Sequence, residues 1–225
     1  GAEGITAEWI ATLNPDAFPE ENWLAELLAE AVAHPEADMI GSTQLLYLEG
    51  SEDLRFDGAG DNLSIFGLAW RGGFKKPATR PFPAGECFAP CAAGALYRTT
   101  AFQAVGGFDE RFFCYLEDVD LAFRIRLRGG RCYQSGKAVV WHVSSGLTGR
   151  HSYFSLYHGY RNSMWLAWKN LPYPLLPFAL AAQALVCLAV AIRGLPHGTA
   201  RAGLHALKDG LGGAGPMLES RRRLS

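Results

Sequence analysis

At 225 residues, with 49% hydrophobic and 19% charged side chains, the chain can bury a sizeable core and has a globular composition. A formal net charge of -1 implies no general affinity for nucleic acid, and five cysteines, an odd number, argue against a disulfide framework and for reduced thiols. No secretory signal opens the chain, and Gly1-Ala2-Glu3-Gly4 starts without Met, as a fragment or a trimmed chain does.

Trp9 to Leu13 reads as a short buried strand. Asn14-Pro15-Asp16 ends it, because proline cannot donate to a ladder and restricts its predecessor, and Asp16 then lies at the strand's C-terminal lip. Trp23, Leu24, Leu27, Leu28, Ala31 and Val32 mark one face of a helix stopped at His34-Pro35, and Asp38 to Leu48 reads as the next strand. Strand, helix and strand make an α/β unit, whose ligands gather outside the carboxyl ends of strands. Ser51 to Glu86 is looser and rich in Gly and Pro. Gly58-Ala59-Gly60 lacks the strand before and helix after that a dinucleotide loop needs, so the section reads as a substrate-covering loop. Within it Trp70 and Arg71 suit stacking on and hydrogen bonding a ligand, although a hydrophobic anchor is the plainer role for Trp70.

Cys91 to Arg98 is a run of small residues in which Ala93 and Gly94 allow close approach of a ligand or of another element. Cys87 and Cys91 stand at C-x3-C spacing without the second paired knuckle of a strong zinc signal. Thr99 or Thr100 opens a short helix holding Phe102 and Val105, ended by Gly106-Gly107. Phe108 to Asp120 then crowds acids among aromatics and runs into a helix with Val119, Ala122, Phe123 and Leu127 at helical spacing and Gly129-Gly130 as its stop. Glu117 and Asp118 fall at its start. Acids there face the positive end of the helix dipole, or one of them serves as a general base. Ala138 to Trp141 is a strand with His142 at its end. Asp16 and His142 therefore both end strands, and an Asp with a neutral His suits Mg or Mn bound together with a substrate phosphate, which leaves Asp118 for proton transfer.

Taken in order, these residues resemble the family 2 inverting glycosyltransferases, and among them the bacterial rhamnosyltransferase-like enzymes of cell-surface polysaccharide synthesis. Leu13-Asn14-Pro15-Asp16 is similar to their D-x-D metal and nucleotide-sugar motif, Cys91 to Tyr97 with Gly106-Gly107-Phe108-Asp109-Glu110 to their acceptor-side segment, and Tyr115 to Asp120 to their E-D motif. His142 matches a histidine that completes the metal site, and Tyr160-Arg161-Asn162 a further family element. The resemblance implies an α/β fold with a GT-A-like mixed sheet flanked by helices, in a catalytic region spanning residues 1–170. It implies a nucleotide-sugar donor bound by Asn14 and Asp16, a divalent cation (Mg or Mn) held by Asp16 and His142, and Asp118 as base. Glu117, Trp70, Arg71, Ala93, Gly94 and Arg161 fall on the acceptor side. The strands that hold the nucleotide base in such a domain are missing before Gly1, so a non-catalytic remnant acting as a membrane-bound partner or acceptor-binding module is the competing reading. Arg161-Asn162-Ser163-Met164-Trp165 is not the Q-x-x-R-W motif of processive synthases, which favours transfer of a single sugar to a glycan or lipid-linked acceptor.

From Leu171 to Ile192 no charged residue occurs, a stretch long enough to cross a bilayer, but Pro172, Pro174 and Pro177 break its first third. Lys169 and Arg193 bracket it with like charge, and nucleotide sugars are cytoplasmic, so both flanks belong inside and a single crossing fits poorly. Leu204, Leu207 and Leu211 form a stripe beside Arg201, His205 and Lys208, the pattern of a basic surface-seeking helix. Residues 171–225 thus read as a membrane-associating helical tail, peripheral or re-entrant at the cytoplasmic face of a bacterial inner membrane. A soluble hairpin or homo-oligomer interface is the plainer alternative.

Overall fold

A computed structural model describes residues 6–47, 53–143 and 152–224; the expected strand end at Leu48 and the start of the loose section at Ser51 lie outside them. In chain order the elements are β1 (Trp9–Leu13), β2 (Ala17–Pro19), α1 (Trp23–Ala33), β3 (Ala37–Leu46), β4 (Phe56–Gly58), β5 (Asp61–Leu63), β6 (Ala69–Arg71), β7 (Gly85–Cys87) and β8 (Gly94–Arg98). They continue with α2 (Thr99–Ala104), α3 (Glu117–Leu127), β9 (Arg131–His142), α4 (Tyr153–Asn170), α5 (Leu176–Gly194), α6 (Ala200–Gly212) and α7 (Ala214–Leu224). Single 3-10 turns occur at Glu110–Phe112 and Leu195–His197.

The chain divides into two compact units. The first is drawn from Gly1–Asn62, Trp70–Phe108 and Leu121–Ser144, and is built on a mixed sheet with strand order β1-β8-β3-β9-β2; β4 also pairs with β3, and β7 with β9. Among the described strands of this sheet only β3 and β9 run parallel, and β9 is the hub. Its first half pairs antiparallel with β7 and its last residues with β2, so the expected strand over Ala138 to Trp141 is the end of a much longer one. Side chains alternate across the sheet, which sends Val140 and Val139 to different cores. Val140 packs with Trp23, Leu27 and Ala31 of α1, and with Ile40 and Leu96; Val139 packs with Leu45, Phe56, Ala78 and Phe82.

The helix α1 forms where the spacing predicts, but its buried stripe is narrower. Trp23, Leu27 and Ala31 are buried, whereas Leu24, Leu28 and Val32 are exposed. A helix lying on one sheet face hides only one side chain per turn along its contact line. The predicted stop of α3 also holds: Gly129 takes φ +90, and the Gly130 amide caps the Ile125 carbonyl at 3.1 Å.

The second unit is drawn from Leu63–Ala69, Asp109–Asp120 and Ser145–Ser225. Its core sets Met164 of α4, Cys187 of α5 and Ala206 of α6 together. α6 turns small residues inward: Ala202, Gly203, Ala206 and Gly210 are buried, and a Cβ on Gly210 would stand 2.6 Å from Met164 Sδ. Of the predicted surface-seeking stripe, Leu204 and Leu211 are exposed, whereas Leu207 packs against this core. Small residues win the inward place because they let helix backbones approach closely.

Candidate active site

At one end of the first unit's sheet, regular pairing assembles a polar cluster from three distant segments. Ala17, the first residue of β2, lies opposite His142, the last of β9, which carries the preceding Asp16 to the imidazole. Asp16 Oδ1 stands 3.2 Å from His142 Nε2. Across β3, Asp57 of β4 meets the other ring nitrogen, Nδ1, at 2.8 Å. Asp57 is fully buried and His142 4% exposed. A carboxylate only accepts, so Nδ1 donates to Asp57, and the guanidinium of Arg71 balances the buried charge with a 2.5 Å bond to the same oxygen.

This arrangement fits a divalent cation. With Nδ1 donating, a neutral His142 aims an acceptor nitrogen at an acceptor oxygen of Asp16, a contact that calls for a cation or a second proton. Two neighbouring ligands of an octahedral ion held at about 2.1 Å stand roughly 3 Å apart, close to the observed 3.2 Å. Asp57 supplies the carboxylate–histidine support usual behind a metal-bound imidazole. Asp57 and its bond to His142 escaped the sequence reading, because a three-residue strand in a Gly-rich section has no periodicity to reveal it.

In the second unit, the segment Asp109–Asp120 carries the proposed base on an unusual backbone. Phe113 has φ 65 and ψ -60, and the Cys114 amide bonds back to the Phe112 carbonyl at 2.8 Å; this is a γ-turn of the rare, strained sign. Tyr115 and Leu116 follow with φ 64 and 66. None of the three is glycine, and each such conformation costs about 1–3 kcal/mol. The Leu116 carbonyl then accepts from the Asp120 amide at 2.9 Å and starts α3, with Asp118 in the first turn. Asp118 is 9% exposed and its Oδ1 accepts from the Val119 amide at 2.8 Å.

Side chains of α4 hold this segment at two places. Asn162 Nδ2 lies 3.0, 2.8 and 2.7 Å from the carbonyl oxygens of Phe112, Cys114 and Tyr115. Arg161 donates to the Phe112 carbonyl at 3.1 Å and to Asn162 Oδ1 at 2.9 Å, with its guanidinium 4.1 Å over the Trp165 ring. Two turns on, the buried ammonium of Lys169 joins Asp109 at 2.7 Å and Asp120 at 2.8 Å, and Asn170 donates to Asp120 at 2.8 Å. Burial works to raise the Asp109 carboxyl, but the bonds from Arg111 and Lys169 overcome it and hold it well below the usual carboxylate range. Burial pushes the Cys114 thiol up to about 11, with Glu117 adding to the effect, so it stays protonated at neutral pH.

The remaining expected residues fall as follows. Asn14 is exposed in the turn after β1, and its amide donates to the Ala93 carbonyl at 3.1 Å. Ala93 and Gly94 are buried, and a Cβ on Gly94 would sit 2.8 Å from Val140, so close sheet packing accounts for that glycine. Trp70 is 54% exposed, beside the engaged Arg71. Arg161, expected on the acceptor side, is buried with its donors on the 112–116 segment and on Asn162. Glu117 is half-buried in the first turn of α3. Among the described site residues expected in the first unit, Asp16 and His142 meet through their side chains, and Asn14 and Ala93 through their backbones.

No family model matches the sequence. Over 77 residues the chain is 40% identical to the N-acetylglucosaminyl-diphospho-decaprenol L-rhamnosyltransferase of Mycobacterium tuberculosis, a match covering 33% of this chain and 23% of that protein. Over 186 residues it is 29% identical to the O-antigen biosynthesis protein RfbC of Myxococcus xanthus, covering 76% of this chain and 14% of that one. The chain thus spans less than a quarter of the length of either curated relative. Among solved structures it is similar to the crystal structure of GalNAc-T7 with UDP, GalNAc and Mn2+, with a TM-score of 0.52 and 15% identity over 71% of this chain and 31% of that one.

Proposed function

We propose that this chain, whose fold is that of a GT-A-like glycosyltransferase, is the catalytic portion of a metal-dependent inverting enzyme of family 2. It transfers one sugar from a nucleotide-sugar donor to a glycan or lipid-linked acceptor in cell-surface polysaccharide synthesis. The observation that carries the reading is the Asp16–His142 pair, 3.2 Å apart, with Asp57 behind the imidazole. Asp16 and His142 would hold Mg or Mn, and that cation would neutralise charge building on a departing nucleoside diphosphate. Asn14, in the same turn, is placed on the donor side.

A sugar hydroxyl is a weak nucleophile and needs a carboxylate to take its proton as it attacks the anomeric carbon. Asp109 and Asp120 are tied to Lys169, a structural duty that conflicts with proton transfer, and this supports Asp118 as the base. Glu117, Trp70 and Arg71 are assigned to the acceptor side, and the bond from Arg71 to Asp57 also braces the support behind His142. Attack opposite the leaving group inverts the anomeric centre without a covalent enzyme intermediate.

Membrane attachment through residues 171–225 is part of the proposal. By length and composition, Leu176–His197 is a helix able to cross a membrane, with a mean hydropathy of 2.0. Phe178, Leu185, Ile192 and Leu195 are exposed along it, and α6 exposes Arg201 and Lys208 beside Leu204 and Leu211. An apolar surface edged by cations suits the cytoplasmic face of a bacterial inner membrane. Flotation with anionic liposomes tests it, and a chain left at the bottom of the gradient refutes it.

Calorimetric titration of the chain with Mn2+ and UDP tests the catalytic reading. Joint binding, lost in Asp16→Asn and His142→Ala, is expected. No binding in the unaltered chain would favour the non-catalytic module.

A further inference from the structure

We infer that Asn162 and Arg161 are positioning residues for the base: they hold the Phe112–Leu116 backbone in a conformation it would not keep by itself, and so fix where α3 begins and where Asp118 points. The inference rests on the assignment of Asp118 as base.

Three features carry it. The left-handed residues Phe113, Tyr115 and Leu116 lie immediately before the helix that bears Asp118, and Leu116 supplies the carbonyl for its first turn. One amide group, Asn162 Nδ2, reaches the carbonyls of Phe112, Cys114 and Tyr115, so a single side chain spans the whole distorted stretch. Arg161 fixes that amide the right way round, because its Nε donates to Asn162 Oδ1 and leaves the NH2 for the carbonyls. A buried Asn and a buried Arg side by side on a helix do little for a hydrophobic core, and exposed Phe113 gains little burial from its strained turn. Strain kept at such cost in packing is characteristic of a segment that must present a group accurately. Lys169 and Asn170 tie the two ends of the segment through Asp109 and Asp120, so the amide clamp acts on the middle of a loop whose ends are already held.

The test measures nucleoside diphosphate release from a panel of nucleotide-activated L-rhamnose donors, in the full chain. Asn162→Ala is expected to lower kcat about 10- to 100-fold with donor KM within twofold, and Arg161→Lys, which lacks the planar fork, somewhat less. Glycine adopts positive φ without strain, so Leu116→Gly added to Asn162→Ala should recover about tenfold of the lost kcat. A purely structural role predicts no such rescue. An Asn162→Ala enzyme that keeps kcat within twofold overturns the inference, and so does a loss that Leu116→Gly leaves unchanged. Asp118→Asn is run in parallel: an inactive Asp118→Asn beside a fully active Asn162→Ala removes the clamp alone, whereas turnover retained by Asp118→Asn removes the base assignment on which it rests.

Discussion

The two units fix their carboxylates by opposite means. In the first, Asp16 and Asp57 reach His142 because ordinary strand pairing delivers them, with β2 on one side of β9 and β4 across β3. In the second, the backbone before Asp118 departs from ordinary geometry, and buried polar side chains of α4 hold it there. A cluster made by register has redundant support and should survive loss of one side chain. A segment held by buried charges and amides should fail more completely when one is removed.

The largest effect tests the chemistry placed on the second unit. Asp118→Asn should lower transfer by about 100- to 10,000-fold while the circular dichroism spectrum stays native; wild-type turnover would dismiss it as the base. Next comes Lys169→Ala, which leaves the buried Asp120 and Asp109 without their shared cation. Breaking a buried pair costs about 3–5 kcal/mol, so thermal unfolding should begin well below the wild-type temperature, and an unchanged melt would show that the network contributes little. On the first unit, Asp57→Asn keeps the shape but weakens the support behind His142. Mn2+ affinity should fall about 10- to 100-fold with little change in melting, and a collapse of the fold instead would erase the contrast between the units.

The smallest effect is a pH dependence. Asp109 has a folded pKa below its unfolded value, so its contribution is whole above about pH 5 and declines as pH falls below about 4 towards the folded pKa. Urea midpoints measured between pH 6 and 3 should therefore drop less in Asp109→Asn than in the unaltered chain. An equal drop would place the acid sensitivity elsewhere.

What could be read from the sequence follows the same division. Strand ends marked by Asn14-Pro15 and by His142, and a helix bounded by Glu117 and Gly129, are local signals, and the elements form where those signals put them. That Ala17 would face His142 is a matter of register between distant strands, which local pattern does not carry. The 18-residue helix α4 was seen only as the motif Tyr160-Arg161-Asn162. Its buried side includes Arg161, Asn162, Ser163, Lys169 and Asn170, so a search for apolar periodicity passes over it. In α6 the same search finds the leucines of the surface-seeking stripe, of which Leu204 and Leu211 are exposed, while the small residues that enter the interface carry no hydrophobic signal.

The dependence of the metal-type cluster on β9 also has a kinetic side. His142 and Asp57 lie 85 positions apart in sequence, and the parallel β3–β9 ladder that brings them together links equally remote segments. Contacts of such long loop closure form late, because their entropy must be met before pairing rewards it. On that ground Asp16 and Asp57 join one cluster only when β9, the final strand of the sheet, docks.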